Sequence, residues 1–332
     1  LLMAKALKGE GFDVTVLCRY GIHRESDNIK PEGVFEGIQY IYCSGYTVRE
    51  DNFFRRNLLK FKGLFNEYRQ FRKYSRSRIL RGALISTNRF YNVVFYYILS
   101  RIFKIPVVID TVEYWTSKSH YRGFERLDKY MYDKFYFYFT DRIICISDFL
   151  IQKTGMTEGR KILKIPSITD FDKFIYRDSE KLLSYRYFLF CGSVTYFEII
   201  DFIISSYEKS NAENVNLVLV TQINEELTIR IEKSPVKDRI IILTSVPYGD
   251  LINYYMHSEA LIIPMRKTIE DQARFPHKIS EYCAAGRPVI TNEAGEIPNY
   301  FNHNNAYLCR EYDEQDFARA MKDIVTDPSK AD

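Results

Sequence analysis

The chain has 332 residues, of which 46% are hydrophobic and 27% charged, and its formal net charge is +4 at pH 7. This length allows two domains with ordinary apolar cores, and no run of about 18 apolar residues suggests a membrane-spanning helix. The six cysteines are scattered, without a C-x-x-C pair or a zinc-type histidine spacing. They exclude a disulfide framework and fit a reducing, cytoplasmic compartment.

Short apolar β-rich runs alternate with helical stretches along the chain, which predicts βα units and parallel sheets. The predicted strands are 14–19, 38–43, 83–87, 106–110, 142–147, 187–191, 216–221, 239–243, 260–264, 288–292 and 306–309. The predicted helices are 91–103, 121–139, 197–210, 248–257, 276–285 and 313–325. Residues 130–139 are aromatic on every side, which is typical of a helix buried on most faces; a lipid-facing role is the alternative.

This order predicts an α/β protein with two Rossmann-like, doubly wound domains, residues 1–172 and 173–332, which face each other across a cleft. Ligands of such sheets bind beyond the carboxyl ends of the strands, so the cleft is the expected site. The chain opens inside a helix, although a doubly wound domain starts with a strand. We therefore expect the first strand of the N-terminal domain to precede the given sequence.

A basic, aromatic segment lies in the first half of the chain. Residues 55–81 hold ten Lys or Arg and one acid, a local charge of +9 against +4 for the whole chain. Apolar residues recur there at three- and four-residue steps, as on one face of a helix: Phe54, Leu58, Phe61, Phe65 and Tyr68. Three interpretations remain open. The stripe packs on the first sheet, or residues 54–81 bind an anionic membrane surface, or they bind an acidic polymer; no nucleic-acid motif accompanies the charge.

The most informative stretch runs from Arg274 to Glu296. Pro276 stands where a helix begins, Gly286 can end that helix, and a buried strand follows. A helix N-terminus at a strand–helix edge offers free N–H groups and a positive dipole end to a phosphate. Lys278 adds a full charge, and Glu281, one turn further on, can accept hydrogen bonds from sugar hydroxyls. The residues alone allow either a nucleotide-sugar site or a plain helix–strand connection.

Four segments in order resemble family 4 retaining glycosyltransferases, which have the two-domain GT-B fold. The donor-site segment is FPHKISEYCAAGRPVI at 275–290. The other three are DRIICISDFL at 141–150, IPSITDFDKF at 165–174 and YFLFCGS at 187–193. The resemblance implies a glycosyltransferase of the hexosyltransferase type, which moves a sugar from a nucleotide-sugar donor to a lipid-linked or polysaccharide acceptor. It also implies that the family's final crossover helix lies beyond the given sequence.

The resemblance implies roles for particular residues. Those expected to bind the donor are Gly192, Ser193, Arg266, Arg274, Phe275, Lys278, Ile279 and Glu281. Glu113, at the end of a first-domain strand, and Asp271, near the donor sugar, are the expected catalytic residues. No metal and no cofactor are expected, because preorganised cations and N–H groups can stabilise the leaving diphosphate.

Three positions depart from the family pattern. Ala273 stands where the first motif glutamate is expected, so Asp271 or Glu270 is the candidate replacement. Ser193 and Glu198 stand where many relatives carry an Arg and a Lys that clamp the diphosphate. Arg266, Lys267, Arg274 and Lys278 are the possible substitutes. These departures keep open a degenerate protein that binds a sugar nucleotide or a partner without transfer; a sugar-nucleotide epimerase is the other alternative. The expected setting is bacterial capsule or exopolysaccharide synthesis, in the cytoplasm or peripherally on the inner face of the plasma membrane.

Overall fold

The computed structural model describes residues 1–24, 28–118, 121–156, 161–175 and 180–326. Two compact units divide the chain: residues 1–110 with 134–143, and residues 111–133 with 144–332. The predicted domain boundary between residues 172 and 173 stays a prediction.

The first half of the chain alternates strands and helices. Its elements are α1 (Leu2–Gly9), β1 (Thr15–Cys18), β2 (Glu32–Phe35), β3 (Ile38–Tyr42), α2 (Phe53–Arg76), β4 (Ala83–Ser86), α3 (Phe90–Phe103), β5 (Val107–Thr111), α4 (Gly123–Phe135), β6 (Arg142–Cys145), α5 (Asp148–Lys153) and β7 (Ile162–Lys164). β1 pairs in parallel with β3, and β2 pairs antiparallel with β3. A second sheet has the order β4-β5-β6-β7, in which β4 and β5 are parallel.

The second half of the chain forms one fully parallel sheet. Its elements are β8 (Arg186–Cys191), α6 (Phe197–Ser210), β9 (Val215–Val220), α7 (Glu225–Glu232), β10 (Ile240–Leu243), α8 (Tyr248–Met256), β11 (Ala260–Ile262), α9 (Ile269–Ala273), α10 (His277–Ala285), β12 (Val289–Asn292), β13 (Tyr307–Cys309) and α11 (Glu314–Thr326). The strand order is β10-β9-β8-β11-β12-β13. The central strands are continuous apolar runs because helices cover both faces of a parallel sheet.

The core of this half lies between the sheet and its helices. Phe188 and Leu217 on the strands pack with Ile200 and Ile203 of α6 and with Phe317 of α11. α10 ends at Gly286, which has φ +63° and donates its N–H to the carbonyl of Cys283. A left-handed residue after the last turn is the conformation that glycine adopts without strain.

Two expectations about aromatic helices change in the structure. The 130–139 segment ends its α-helix at Phe135 and continues as a short 3-10 turn. It buries Tyr132, Tyr136 and Phe137, but Tyr130 is 50% exposed and Tyr138 is 63% exposed, so burial on most faces was only partly correct. In the apolar stripe of α2, Tyr68 packs against the core of its unit, whereas Phe54, Leu58, Phe61 and Phe65 are exposed, as described below.

Candidate functional site

The strand order places a crevice in the six-stranded sheet of the second half of the chain. The chain runs from β8 outward through β9 and β10, and then returns to the other side of β8 as β11. The loops after β8 and β11 therefore leave the carboxyl edge in opposite directions, which opens the crevice where doubly wound sheets bind ligands. Ser193 and Arg266 lie in these two loops. The predicted donor-binding positions thus follow from this topology.

The N-terminus of α10 is the first part of the candidate site. Its N-cap is Pro276, and no side chain caps the first turn. The N–H groups and the positive dipole end at such a terminus favour an anion. On the same helix, Lys278 Nζ lies 2.9 Å from Glu281 Oε2. Tyr248 donates to the other oxygen, Glu281 Oε1, over 3.3 Å. A cation, Lys278, and a carboxylate that can accept hydrogen bonds from sugar hydroxyls, Glu281, are therefore held one turn apart.

His277, the first residue of α10, is also engaged. Its Nδ1 lies 3.1 Å from the hydroxyl of Ser167, which lies 2.9 Å from the hydroxyl of Ser280. These contacts join the start of α10 to the segment before the 3-10 turn at 171–174.

Arg266 is surrounded by three carboxylates. Its Nε donates to Asp271 Oδ2 over 2.9 Å, and its two other nitrogens reach Glu198 and Glu270, each over 3.3 Å. The hydrogen bonds with Asp271, which outweigh burial, raise the pKa of Arg266 above its usual range. Glu198, which replaces the cation seen in many relatives, is therefore matched by a cation from the neighbouring loop.

Arg274 approaches the same cluster from the loop before α10. Its Nη2 lies 2.6 Å from Asp271 Oδ1, its Nη1 donates to the hydroxyl of Tyr196 over 3.1 Å, and its guanidinium lies 5.0 Å from the centre of that ring. Its Nε is buried and has no hydrogen-bond partner among the residues that the structure describes. Two guanidinium groups thus face three carboxylates, a formal excess of one negative charge before a ligand binds.

Asp271 and Glu270 differ in what they can reach. The Asp271 side chain is fully buried, and both of its oxygens are bonded to the two arginines. The Glu270 side chain keeps 21% of its surface exposed and accepts from Tyr196 over 3.4 Å. Of these two acids, only Glu270 has side-chain surface that a ligand could reach, whereas Asp271 fixes the two guanidinium groups. The catalytic role predicted for Asp271 stays a prediction, and this geometry does not favour it.

The turn after β8 is shaped by its neighbours. The N–H of Gly192 donates to the carbonyl of Val220 over 3.1 Å, so it is not free for a ligand. A Cβ at Gly192 would lie 2.5 Å from the Phe190 ring, so only glycine fits without a shift of that ring. The hydroxyl of Ser193 accepts the N–H of Thr195 over 3.3 Å. The turn is compact and neutral, as its sequence predicts.

Glu113 forms an ion pair that the sequence did not suggest. Lys118 binds its carboxylate, and the 3-10 turn at 115–117 between them packs beside α9. Burial opposes the charge of Lys118, but Glu113, Tyr196 and Glu270 together raise its pKa. Lys118 therefore belongs to the electrostatic surroundings of Glu270. Its spacing from Glu113 carried no recognisable motif.

Three other predicted residues lie apart from this cluster. Phe275 is 5% exposed and packs against Tyr300, and Ile279 is 1% exposed, so their side chains belong to the core. Lys267 is exposed and pairs with Glu311. If Phe275 and Ile279 meet a donor, they do so through the main chain.

A second group missed in the sequence links α5 to the loop after β12. The buried Glu296 accepts the N–H of Asp148, and Lys164 lies 2.7 Å from Asp148 and 3.4 Å from Glu296. Next to it, the Ser147 hydroxyl donates to the carbonyl of Ala273 over 2.6 Å. Ser147-Asp148 is a helix N-cap signature that could have located α5. The Ser147 bond holds the C-terminal end of α9, where Ala273 lies.

No cluster of three metal-type ligands occurs among the described residues. In that same part of the chain, no helix combines the length and apolar character needed to cross a membrane.

Comparison with known proteins gives the family context of this site. Residues 172–332 match the family model for glycosyl transferases group 1. Anabaena Alr3699/HepE, in complex with UDP and glucose, is similar in structure at a TM-score of 0.62, with 16% identity over 89% of this chain and 78% of its own. A glycosyltransferase from Rickettsia africae is similar at a TM-score of 0.63, with 15% identity over 97% of this chain and 86% of its own. The E. coli trehalose-6-phosphate protein bound with UDP-2-fluoro glucose is similar at a TM-score of 0.64, with 9% identity over 96% of this chain and 86% of its own. No curated protein matches the chain.

These findings confirm the predicted GT-B fold and the predicted enzyme class. The enzyme class, a glycosyltransferase, rests on residues 172–332, which match the group 1 family model. The segment from Arg274 to Glu296, which was the most informative part of the sequence, lies inside that domain.

Proposed function

We propose that this protein is a retaining glycosyltransferase that binds the diphosphate of a nucleotide sugar at the N-terminus of α10. The observation that carries the proposal is the Lys278–Glu281 pair at 2.9 Å, on a helix whose first turn no side chain caps. Without donor, Glu281 balances the charge of Lys278. With donor, Lys278 turns to the phosphates and Glu281 accepts the ribose hydroxyls. The solved relatives that hold UDP or a UDP-sugar support a nucleotide-sugar donor.

In this proposal Glu270 takes the place of the missing motif glutamate at Ala273. Its partly exposed carboxylate is held by Arg266 and Tyr196 and orients a hydroxyl of the donor sugar. Asp271 keeps Arg266 and Arg274 in position. As the leaving diphosphate gains negative charge, Arg274 and Lys278 stabilise it, because fixed cations in a partly buried site need little reorganisation.

Glu113 is proposed to act on the acceptor. Its ion pair with Lys118 orients the carboxylate, so that it accepts a hydrogen bond from the attacking hydroxyl. We propose a lipid-linked or polysaccharide acceptor in cell-surface glycan synthesis, as for the family that the sequence resembles. No metal enters this scheme, since the cations are side chains.

A degenerate protein that binds the donor without transfer is the second candidate. The excess of one carboxylate around Arg266 and Arg274 favours it, because an acidic surrounding weakens the binding of a diphosphate.

Turnover of donor distinguishes the two candidates. The protein is incubated with UDP-, GDP-, ADP- and dTDP-sugars and a bacterial lipid extract, and the released nucleoside diphosphate and the glycosylated product are measured. The anomeric configuration of the product is read by proton NMR. We expect release with one nucleotide class, retained configuration, and a loss of at least tenfold in Glu281→Gln but not in the exposed control Glu232→Gln. Donor binding without release would support the degenerate protein instead, and an inverted product would contradict retention.

A further inference from the structure

α2 exposes a continuous apolar ridge. The ridge residues follow one another at three- and four-residue steps, and their exposed fractions are 82%, 68%, 71% and 58% for Phe54, Leu58, Phe61 and Phe65. Those steps place all four on one side of the helix. Scattered apolar residues are ordinary on protein surfaces, but a contiguous ridge of this kind marks a surface that binds something.

The opposite side of α2 is fixed to its own unit. A Cβ at Gly63 would lie 2.1 Å from the carbonyl oxygen of Arg19, so the helix approaches that carbonyl more closely than any side chain would allow. Glu67 is 1% exposed, and it accepts from Arg19 over 2.9 Å and from Tyr96 over 3.0 Å. A rotation of α2 that buried the ridge would break these contacts. It would leave the charge of Glu67 or of Arg19 without its partner, which is costly. The outward position of the ridge is therefore built into the packing.

Basic side chains continue the ridge and flank it. Beyond Phe65 the same side of the helix carries Arg69, Arg72 and Arg76, and all three are exposed. The Arg69 guanidinium lies 5.0 Å from the centre of the Phe65 ring. The only acid between residues 55 and 81 is Glu67, which is buried. The exposed side of α2 therefore presents apolar and positive groups and no negative group of its own.

We propose that this side of α2 binds the surface of a bilayer that contains anionic lipids. A helix that carries aromatic and Leu side chains with Lys and Arg beside them lies in the interface of a membrane, with the apolar ridge between the headgroups and the arginines at the phosphates. Long basic side chains can reach the headgroups while their stems cover apolar surface. A free polyanion would use the arginines but would leave the four apolar side chains in water. The inference is independent of the transfer reaction, because no residue of α2 belongs to the candidate donor site.

Binding to vesicles tests the charge component. The purified protein is sedimented with vesicles of phosphatidylcholine alone or with phosphatidylglycerol added. One variant removes three charges from the helix: Arg69→Gln, Arg72→Gln and Arg76→Gln. A matched control removes three exposed charges elsewhere: Lys233→Gln, Arg310→Gln and Lys322→Gln. Each charge near an anionic surface is worth about fivefold in binding, so we expect a loss of at least tenfold in the helix variant and less than threefold in the control.

A second pair of variants tests the ridge. The ridge variant is Phe61→Ser with Phe65→Ser. The control is Phe35→Ser with Phe124→Ser, whose exposed fractions of 59% and 75% are similar. We expect at least a tenfold loss of vesicle binding in the ridge variant alone, with unchanged thermal unfolding in both. In a Phe61→Trp variant, brominated lipids should quench the fluorescence of the new tryptophan. In the unmodified protein, whose one tryptophan is Trp115, the same lipids should cause no quenching.

Four results would overturn the proposal. The first is equal binding to neutral and anionic vesicles. The second is an equal loss in a helix variant and its control. The third is a concentration-dependent dimer that disappears in the ridge variant while no variant binds vesicles, since the ridge would then bind a second copy of the chain. Binding to RNA that depends on the arginines but not on the ridge, without vesicle binding, would equally contradict it.

Discussion

Replacing Asp271 with Asn tests the internal order of the candidate site. The side chain is fully buried, and it bonds Arg266 over 2.9 Å and Arg274 over 2.6 Å. Removing one partner of a buried ion pair costs about 3–5 kcal/mol. The two arginines keep 17% of their side-chain surface exposed, and Asn retains one acceptor oxygen, so we expect the lower end, about 3 kcal/mol.

The assay is the midpoint of thermal unfolding. For a domain of this size, 1 kcal/mol shifts the midpoint by about 2–4 °C, so Asp271→Asn should lower it by about 6–12 °C. The control is Glu311→Gln, which breaks the exposed pair with Lys267 and should cost at most about 1 kcal/mol. An equal, small effect of both variants would refute the assignment of Asp271 to holding the arginines.

Kinetics of the same variant separate positioning from catalysis. At a temperature where the variant is fully folded, displaced arginines should raise KM for the donor more than they lower kcat. A general acid or base contributes about 100-fold or more to the rate. Unchanged stability with a fall of that size in kcat would restore Asp271 to the catalytic role that the sequence predicted and would remove Glu270 from it.

Two further predictions concern stability. Gly295 has φ +55°, and a Cβ there would lie 2.8 Å from the carbonyl oxygen of Asp271. Gly155 also has a positive φ, +67°, but open space around it, so Gly295→Ala should lower the free energy of unfolding by at least about 1 kcal/mol more than Gly155→Ala. Equal urea midpoints of the two variants would contradict this. Although burial opposes it, the hydrogen bonds of Asp141 with Arg101 and with the N–H of Val107 lower its pKa below 3.8. Its folded pKa is thus below its unfolded pKa, so the stabilisation is present above about pH 4 and is lost as the pH falls through the folded value. Asp141→Asn should lose at most about 1 kcal/mol at pH 7, because the pair is partly exposed, and should approach the stability of the original protein under acid. A constant difference from pH 7 to pH 2 would contradict this sign.

The strands of the six-stranded sheet were predictable because each is a short apolar run that must be buried on both faces. Strand β2 was missed for the opposite reason. It is only four residues long, lies antiparallel to β3, and leaves Val34 and Phe35 exposed, so it has no buried pattern. Helix α9 was also missed, although Thr268 caps it by accepting the N–H of Asp271. The spacing Thr-x-x-Asp was a usable capping signal.

The segment that forms α10 was predictable, but the partners of its neighbours were not. We predicted from the sequence that Asp271, with Glu270 as the alternative, faces the donor. Adjacent helical residues point about 100° apart, and the rotation of α9 is set by tertiary packing, so the sequence alone could not decide between them. Glu113 and Lys118 pair across the 3-10 turn at 115–117, and Arg266 pairs with Glu198 of α6, 68 residues away in the chain. No local pattern encodes such pairs.

The central claim is that α10 binds a nucleotide-sugar donor through Lys278 and Glu281. The most direct measurement is a thermal-shift panel of UDP-, GDP-, ADP- and dTDP-sugars. It compares the original protein with a Lys278→Ala, Glu281→Ala double variant and with the exposed-pair control Glu232→Ala, Lys237→Ala. At a ligand concentration of about 100 times Kd, binding should add about 2.7 kcal/mol to the stability. We expect a shift with one nucleotide class that is lost only in the α10 variant. No shift with any nucleotide sugar, or an equal shift in the α10 variant, would contradict it.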